Sequence, residues 1–106
     1  MTRIQMIQAI GDLLTRLDVL RGGLLPNDPN RQALDDLRLL LDDRQQRLSR
    51  EQFDEGTGSF QAAAADLARV NGEVRQTIDR IERLIDTINN VRRLLSAVDT
   101  VLGVAV

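Results

Sequence analysis

The 106-residue chain carries 14 basic and 16 acidic residues, a formal net charge of −2, and is 42% hydrophobic but only 2% aromatic. That length holds one domain with a modest core of aliphatic side chains, and the acidic balance argues against an electrostatic footprint for nucleic acid or an anionic membrane. With no His and no Cys, the common zinc ligands, disulfides, thiol nucleophiles and imidazole-based triads are excluded, so acid–base or metal work would fall to carboxylates alone.

Along the first segment the apolar residues fall at Met6, Ile10, Leu13, Leu17, Leu20 and Leu24, with Ile7 and Leu14 widening the stripe. Steps of three and four predict a helix over about residues 3–22. Gln5, Gln8 and Asp12 interrupt the apolar pattern that a signal peptide would need. Gly22 and Gly23 weaken the helix, at ~1 kcal/mol each relative to Ala, and Pro26 and Pro29 end it.

A second helix is expected over about 29–52, capped by Asn27 or Asp28 with Pro29 in its first turn. Ala33, Leu34, Leu37, Leu40, Leu41 and Leu48 form its apolar face. Arg44 falls where that pattern expects an apolar residue, its stem covering the core while the guanidinium reaches water. The turn Pro26-Asn27-Asp28-Pro29 resembles the Pro-x-x-Pro turn of type III secretion needle subunits. Those subunits lack a third helix of the length expected here, and no function is carried over.

Asp54 to Ser59 is the second breaker, with Gly56 offered as a left-handed residue and Thr57 or Ser59 as the next cap. From there Phe60, Ala63, Leu67, Val70, Val74, Thr77, Ile81, Leu84, Ile88, Val91, Leu95, Val98 and Leu102 follow steps of three and four without a slip. The spacing predicts one long helix over about 59–102 with coiled-coil-like packing, Thr77 being the single polar member of the stripe.

The whole chain therefore reads as a single all-α domain, a three-helix bundle or coiled-coil-like hairpin with one long C-terminal helix. That helix would be roughly 65 Å long and its two predecessors roughly 30 to 35 Å. Two short helices cover both sides of half of it or one side of all of it, so an apolar stripe stays bare. Ile81, Leu84, Ile85, Ile88, Val91, Leu95, Val98 and Leu102 are accordingly expected to form an interface between copies, joined by Val101, Val104, Ala105 and Val106.

The remaining candidate sites have simpler structural explanations. Asp54-x-Gly56-Thr57 echoes the phosphate loop of sugar kinases and actin-like ATPases, but it lies between helices in a chain too short for two lobes and is better explained as a helix–helix corner. Asp35-Asp36 and Asp42-Asp43 share a face that solvent would cover, without the inward Glu and His of di-metal bundles. Arg38, Arg44, Arg47 and Arg50 form a basic stretch neutralised by Asp42, Asp43 and Glu51, with no aromatic interleaving for nucleic acid. Asn71 flanks the stripe, either fixing helix register or sitting at a wet rim.

Every basic residue is Arg, as in the proteins of GC-rich genomes. The expected function is that of a non-enzymatic structural or adaptor protein of a bacterium, working through helix packing in a homo-oligomer or with another helical protein. The alternative is a small acidic module that neutralises or chaperones a protein partner, such as an immunity protein, antitoxin or secretion chaperone. No cofactor, nucleic acid or membrane span is expected, and the expected location is the cytoplasm, with leaderless export also compatible.

Overall fold

A computed structural model of the protein describes residues 1–103. Among them are four α-helices, α1 (Arg3–Gly22), α2 (Pro29–Arg50), α3 (Gly58–Asp79) and α4 (Leu84–Leu102), with a 3-10 turn at Ile81–Arg83 and no strand. Val104, Ala105 and Val106, assigned above to an interface, lie outside the described residues.

Local chemistry sets most boundaries. Thr2 and Gln5 form a capping box at the start of α1: the Thr2 hydroxyl accepts from the Gln5 amide at 3.2 Å and the Gln5 side chain accepts from the Thr2 amide at 2.8 Å. The Asp28 carboxylate accepts from the Asn30 amide at 2.9 Å with Pro29 at the first helical position. Thr57 caps α3 by accepting from the Phe60 amide at 3.2 Å. At the corner before α3, Asp54 accepts from the Gly56 amide at 2.7 Å, and Gly56 is not left-handed; among the described residues only Gly103 has a positive φ, at 70°.

The expected long third helix is not formed. It breaks at Arg80 (φ −134°, ψ 78°) and the chain folds back through the 3-10 turn, so α3 and α4 pack side by side and antiparallel. The bundle measures 41 × 22 × 21 Å, too short for a single helix over 59–102. Neither of the two arrangements that leave an apolar stripe bare describes the chain, because α4 supplies the missing cover from within. The loss of a few helical hydrogen bonds at the corner is outweighed by burial of Leu84, Ile88, Val91, Leu94, Leu95 and Val98.

α1 packs on α2 and α3, and α4 on α3 and α2, which leaves α1 opposite α4 and α2 opposite α3 across the diagonals. The start of α1 meets the end of α2 where Arg3 donates to the Leu48 carbonyl at 3.0 Å. The loop from α2 to α3 crosses the diagonal at this same end, where Phe53 stacks on fully buried Phe60 at 5.6 Å between centroids and the Arg3 guanidinium covers the Phe53 ring at 4.2 Å. The α1–α2 turn and the α3–α4 corner occupy the other end.

Candidate functional site

The end formed by the turn at 23–28 and the corner at 80–83 concentrates the unusual features. After the glycine pair, Leu24 turns inward as the last core residue from this segment, while Leu25 is left 72% exposed. At the same end, Val19 in the last turn of α1, Ile78 in the last turn of α3, Ile81 in the 3-10 turn and Ile85 in the first turn of α4 all face water. Five of the nine large exposed hydrophobic side chains among the described residues thus gather at one end.

Under the corner lies a polar cleft of about 400 Å³ lined by Glu73, Thr77, Arg83, Asp86, Thr87 and Asn90. Thr77 donates its hydroxyl proton to the Glu73 carbonyl at 2.8 Å, so in the 2.6 Å contact between Thr77 and Thr87 it is Thr87 that donates. The Glu73 carboxylate accepts from Arg69 at 2.7 Å and from the Asn90 amide at 2.5 Å. Both buried hydroxyls and the Glu73 carboxylate are thereby engaged in holding α3 to α4. None is paired with a base in the manner of an activated nucleophile.

The eight side chains assigned to an interface separate into three groups. Leu84, Ile88, Val91, Leu95 and Val98 are buried in the chain's own core, and Leu102 is partly buried against it. Ile81 and Ile85 remain 50% and 56% exposed. The length mismatch that pointed all eight toward a second copy disappears once α4 folds back, and the two exposed isoleucines are the ones left free for an outside contact. Val101 is partly buried against the core as well.

The other candidates take structural places. Among the aspartates of α2, Asp35 pairs with Arg21 and Asp43 with Arg44, while Asp36 and Asp42 accept from Gln32 and Gln46. No group of three or more potential metal ligands occurs among the described residues. Of the basic stretch of α2, Arg38, Arg44 and Arg47 are dispersed into ion pairs with Asp18, Asp43, Asp99 and Glu51.

Arg44 does not simply reach water: it donates to Asp99 of α4 at 2.5 Å, with both side chains 16% exposed. The guanidinium is held above its ordinary pKa chiefly by that hydrogen bond, against the opposing effect of burial. Hydrogen bonds to Asp18 and Asp66 act in the same direction on Arg38 and Arg69. Asn71 is buried, its side chain donating to the Ala9 carbonyl at 3.0 Å while Arg16 donates to its main-chain carbonyl at 3.3 Å. It ties α3 to α1.

The Thr77–Thr87 pair is the contact that the sequence pattern leaves unread. Its one visible signal is a hydroxyl at Thr77 within an otherwise apolar stripe. No described helix is long and apolar enough to cross a membrane. No protein-family model, curated protein or solved structure matches the chain.

Proposed function

We propose that the protein is a non-enzymatic structural or adaptor protein of the bacterial cytoplasm that works by packing its helices against a second copy of itself. The observation that carries this is the gathering of Val19, Leu25, Ile78, Ile81 and Ile85 in water at one end of the bundle. Scattered single apolar side chains need no explanation, whereas a group of this kind marks an interaction surface. The polar cleft beside it offers no nucleophile–base pair, and the residue inventory contains neither imidazole nor thiol.

Sedimentation equilibrium from low to high micromolar concentration tests this directly. The expected result is a concentration-dependent shift from 11.9 kDa to a multiple of that mass. A chain that remains monomeric throughout would overturn the proposal and favour the acidic binding module instead.

A further inference from the structure

We infer that α4 is exchanged between two copies of the chain: α3, the corner and α4 straighten into one continuous helix, and each copy's α4 replaces the other's against α2 and α3. This rests on the homo-oligomer proposed above and identifies the contact that would build it.

The corner is not encoded as a turn. No Gly or Pro occurs between Gly72 and Gly103, and the break itself reads Asp79-Arg80-Ile81-Glu82-Arg83-Leu84, without the residues that ordinarily stop a helix. The three-and-four spacing passes through it intact, from Val74 and Thr77 to Ile81, Leu84 and Ile88. In the backbone, Arg80 leaves the helical basin, a 3-10 turn follows at once, and Leu84 is already helical at φ −56° and ψ −44°. Rotation about Arg80, with a smaller adjustment at Arg83 (φ −88°, ψ 1°), therefore separates a hairpin from a straight helix.

Two features of the hairpin are better satisfied in the straight form. Ile81 occupies the apolar stripe by spacing yet remains half exposed, as does Ile85 one turn later. Asp79 and Arg83 stand four residues apart but make no ion pair in the hairpin, and a continuous helix would bring them together.

The contacts across the hairpin also have the symmetry that exchange requires. Thr77 meets Thr87 and Glu73 meets Asn90, two antiparallel pairs centred close to Glu82. Two continuous helices crossing antiparallel at Glu82 would place Thr77 of one copy opposite Thr87 of the other and Glu73 opposite Asn90. The same bonds form between chains, and Ile78, Ile81 and Ile85 of both copies gather around the crossing. Exchange of an identical element is a low-cost route to a dimer because the native contacts are reused.

The chain has no cysteine, so in a Thr77→Cys, Thr87→Cys variant the only defined pairing is between positions 77 and 87, within one chain in the hairpin and twice between chains in the exchanged dimer. Hydroxyls 2.6 Å apart identify side chains close enough to be joined by a disulfide. After refolding at high micromolar concentration and oxidation, non-reducing denaturing electrophoresis is expected to show a covalent species of twice the chain's mass that reduction returns to 11.9 kDa. Material that sediments as a dimer but lacks a bridge between chains overturns the exchange while leaving the oligomer intact. Material that sediments as a monomer overturns both.

Ile81→Pro and Ile81→Ala give a second, independent readout. Ile81 opens the 3-10 turn, and a first helical position tolerates proline, but in a straight helix proline there removes the hydrogen bond to the Thr77 carbonyl and clashes with it. Ile81→Pro should weaken dimerisation at least tenfold more than Ile81→Ala, which loses only the side chain's own contacts at the crossing. Equal weakening by both assigns the contact to the exposed side chain and overturns the exchange, and so does wild-type dimerisation by both.

Discussion

Thr77 and Thr87, ten residues apart in the chain, share a buried 2.6 Å hydroxyl contact that ties the last full turn of α3 to the first turn of α4. Thr77 relays its proton to the Glu73 carbonyl, so removing its hydroxyl leaves that of Thr87 without an acceptor inside the protein. Thr77→Val should cost about 1–3 kcal/mol, while Thr77→Val combined with Thr87→Val should be close to neutral because no polar group is stranded. A double-mutant cycle by urea denaturation checks this. Strict additivity of the two single changes would show that the hydroxyls do not depend on each other.

Ile88 and Ile85 lie three residues apart on α4 and answer differently to the same substitution. Ile88 is in the core, so Ile88→Asp buries a carboxylate at a cost of several kcal/mol, a large share of the ~5–15 kcal/mol that holds a domain of this size together. Its thermal transition should lose cooperativity or fall steeply. Ile85→Asp changes an exposed side chain, with an expected effect on monomer stability within about 0.5 kcal/mol and a clear loss of dimer affinity. Circular dichroism melts paired with sedimentation separate the two. A folded, monomeric Ile88→Asp protein would place that side chain between copies instead of inside one.

How far the fold can be read from the chain follows how local each determinant is. The ends of α1 and the start of α2 are set by neighbours within four residues, Thr2 with Gln5, the Gly22-Gly23 pair, and Asp28 before Pro29, and these positions are legible directly. The corner at Arg80 is not, because nothing in Asp79–Leu84 opposes a helix. The break is decided by apolar burial of α4 against α3 and α2, with contacts to α2 such as Arg44–Asp99 spanning 55 residues of sequence, a tertiary effect that overrides local propensity. Arg44 is visibly out of place in the pattern of α2, yet its partner Asp99 lies 55 residues on and no periodicity links the two. The candidate site divides in the same way: Ile81 and Ile85 are recognisable as apolar, but their exposure follows from the corner.

The pairing of Arg44 with Asp99 is the shielded ion pair between α2 and α4. With both side chains 16% exposed, Asp99→Asn should lower stability by about 1 kcal/mol, near the upper end for pairs that water still reaches. Asp18→Asn removes the acceptor of the more exposed Arg38 pair and should leave the melting curve unchanged. Raising the salt concentration should narrow the difference between Asp99→Asn and the wild type only slightly, since a shielded pair is screened less than one in open water. An equal salt sensitivity of the two variants would contradict the burial of the Arg44 pair.

Asn71 is the residue whose replacement should strengthen the fold. Its side-chain nitrogen donates to the Ala9 carbonyl, but its amide oxygen is buried with no hydrogen-bond partner, which penalises the folded state. Leucine has the same branching and no polar atom, and the Ala9 carbonyl, lying inside α1, retains its place in the helical ladder. The Arg16 contact uses the Asn71 main-chain carbonyl and survives any side-chain change. Asn71→Leu is therefore expected to gain about 1 kcal/mol, raising the melting temperature by roughly 4–8 °C for a domain near this length. The gain carries a cost in specificity, because an amide bonded across two helices admits one register where leucine tolerates several. Amide signals of the variant should broaden or multiply along α1 and α3 even as its melting temperature rises. A fall in melting temperature would instead show that the unpartnered oxygen is satisfied in solution, and that Asn71 contributes stability as well as register.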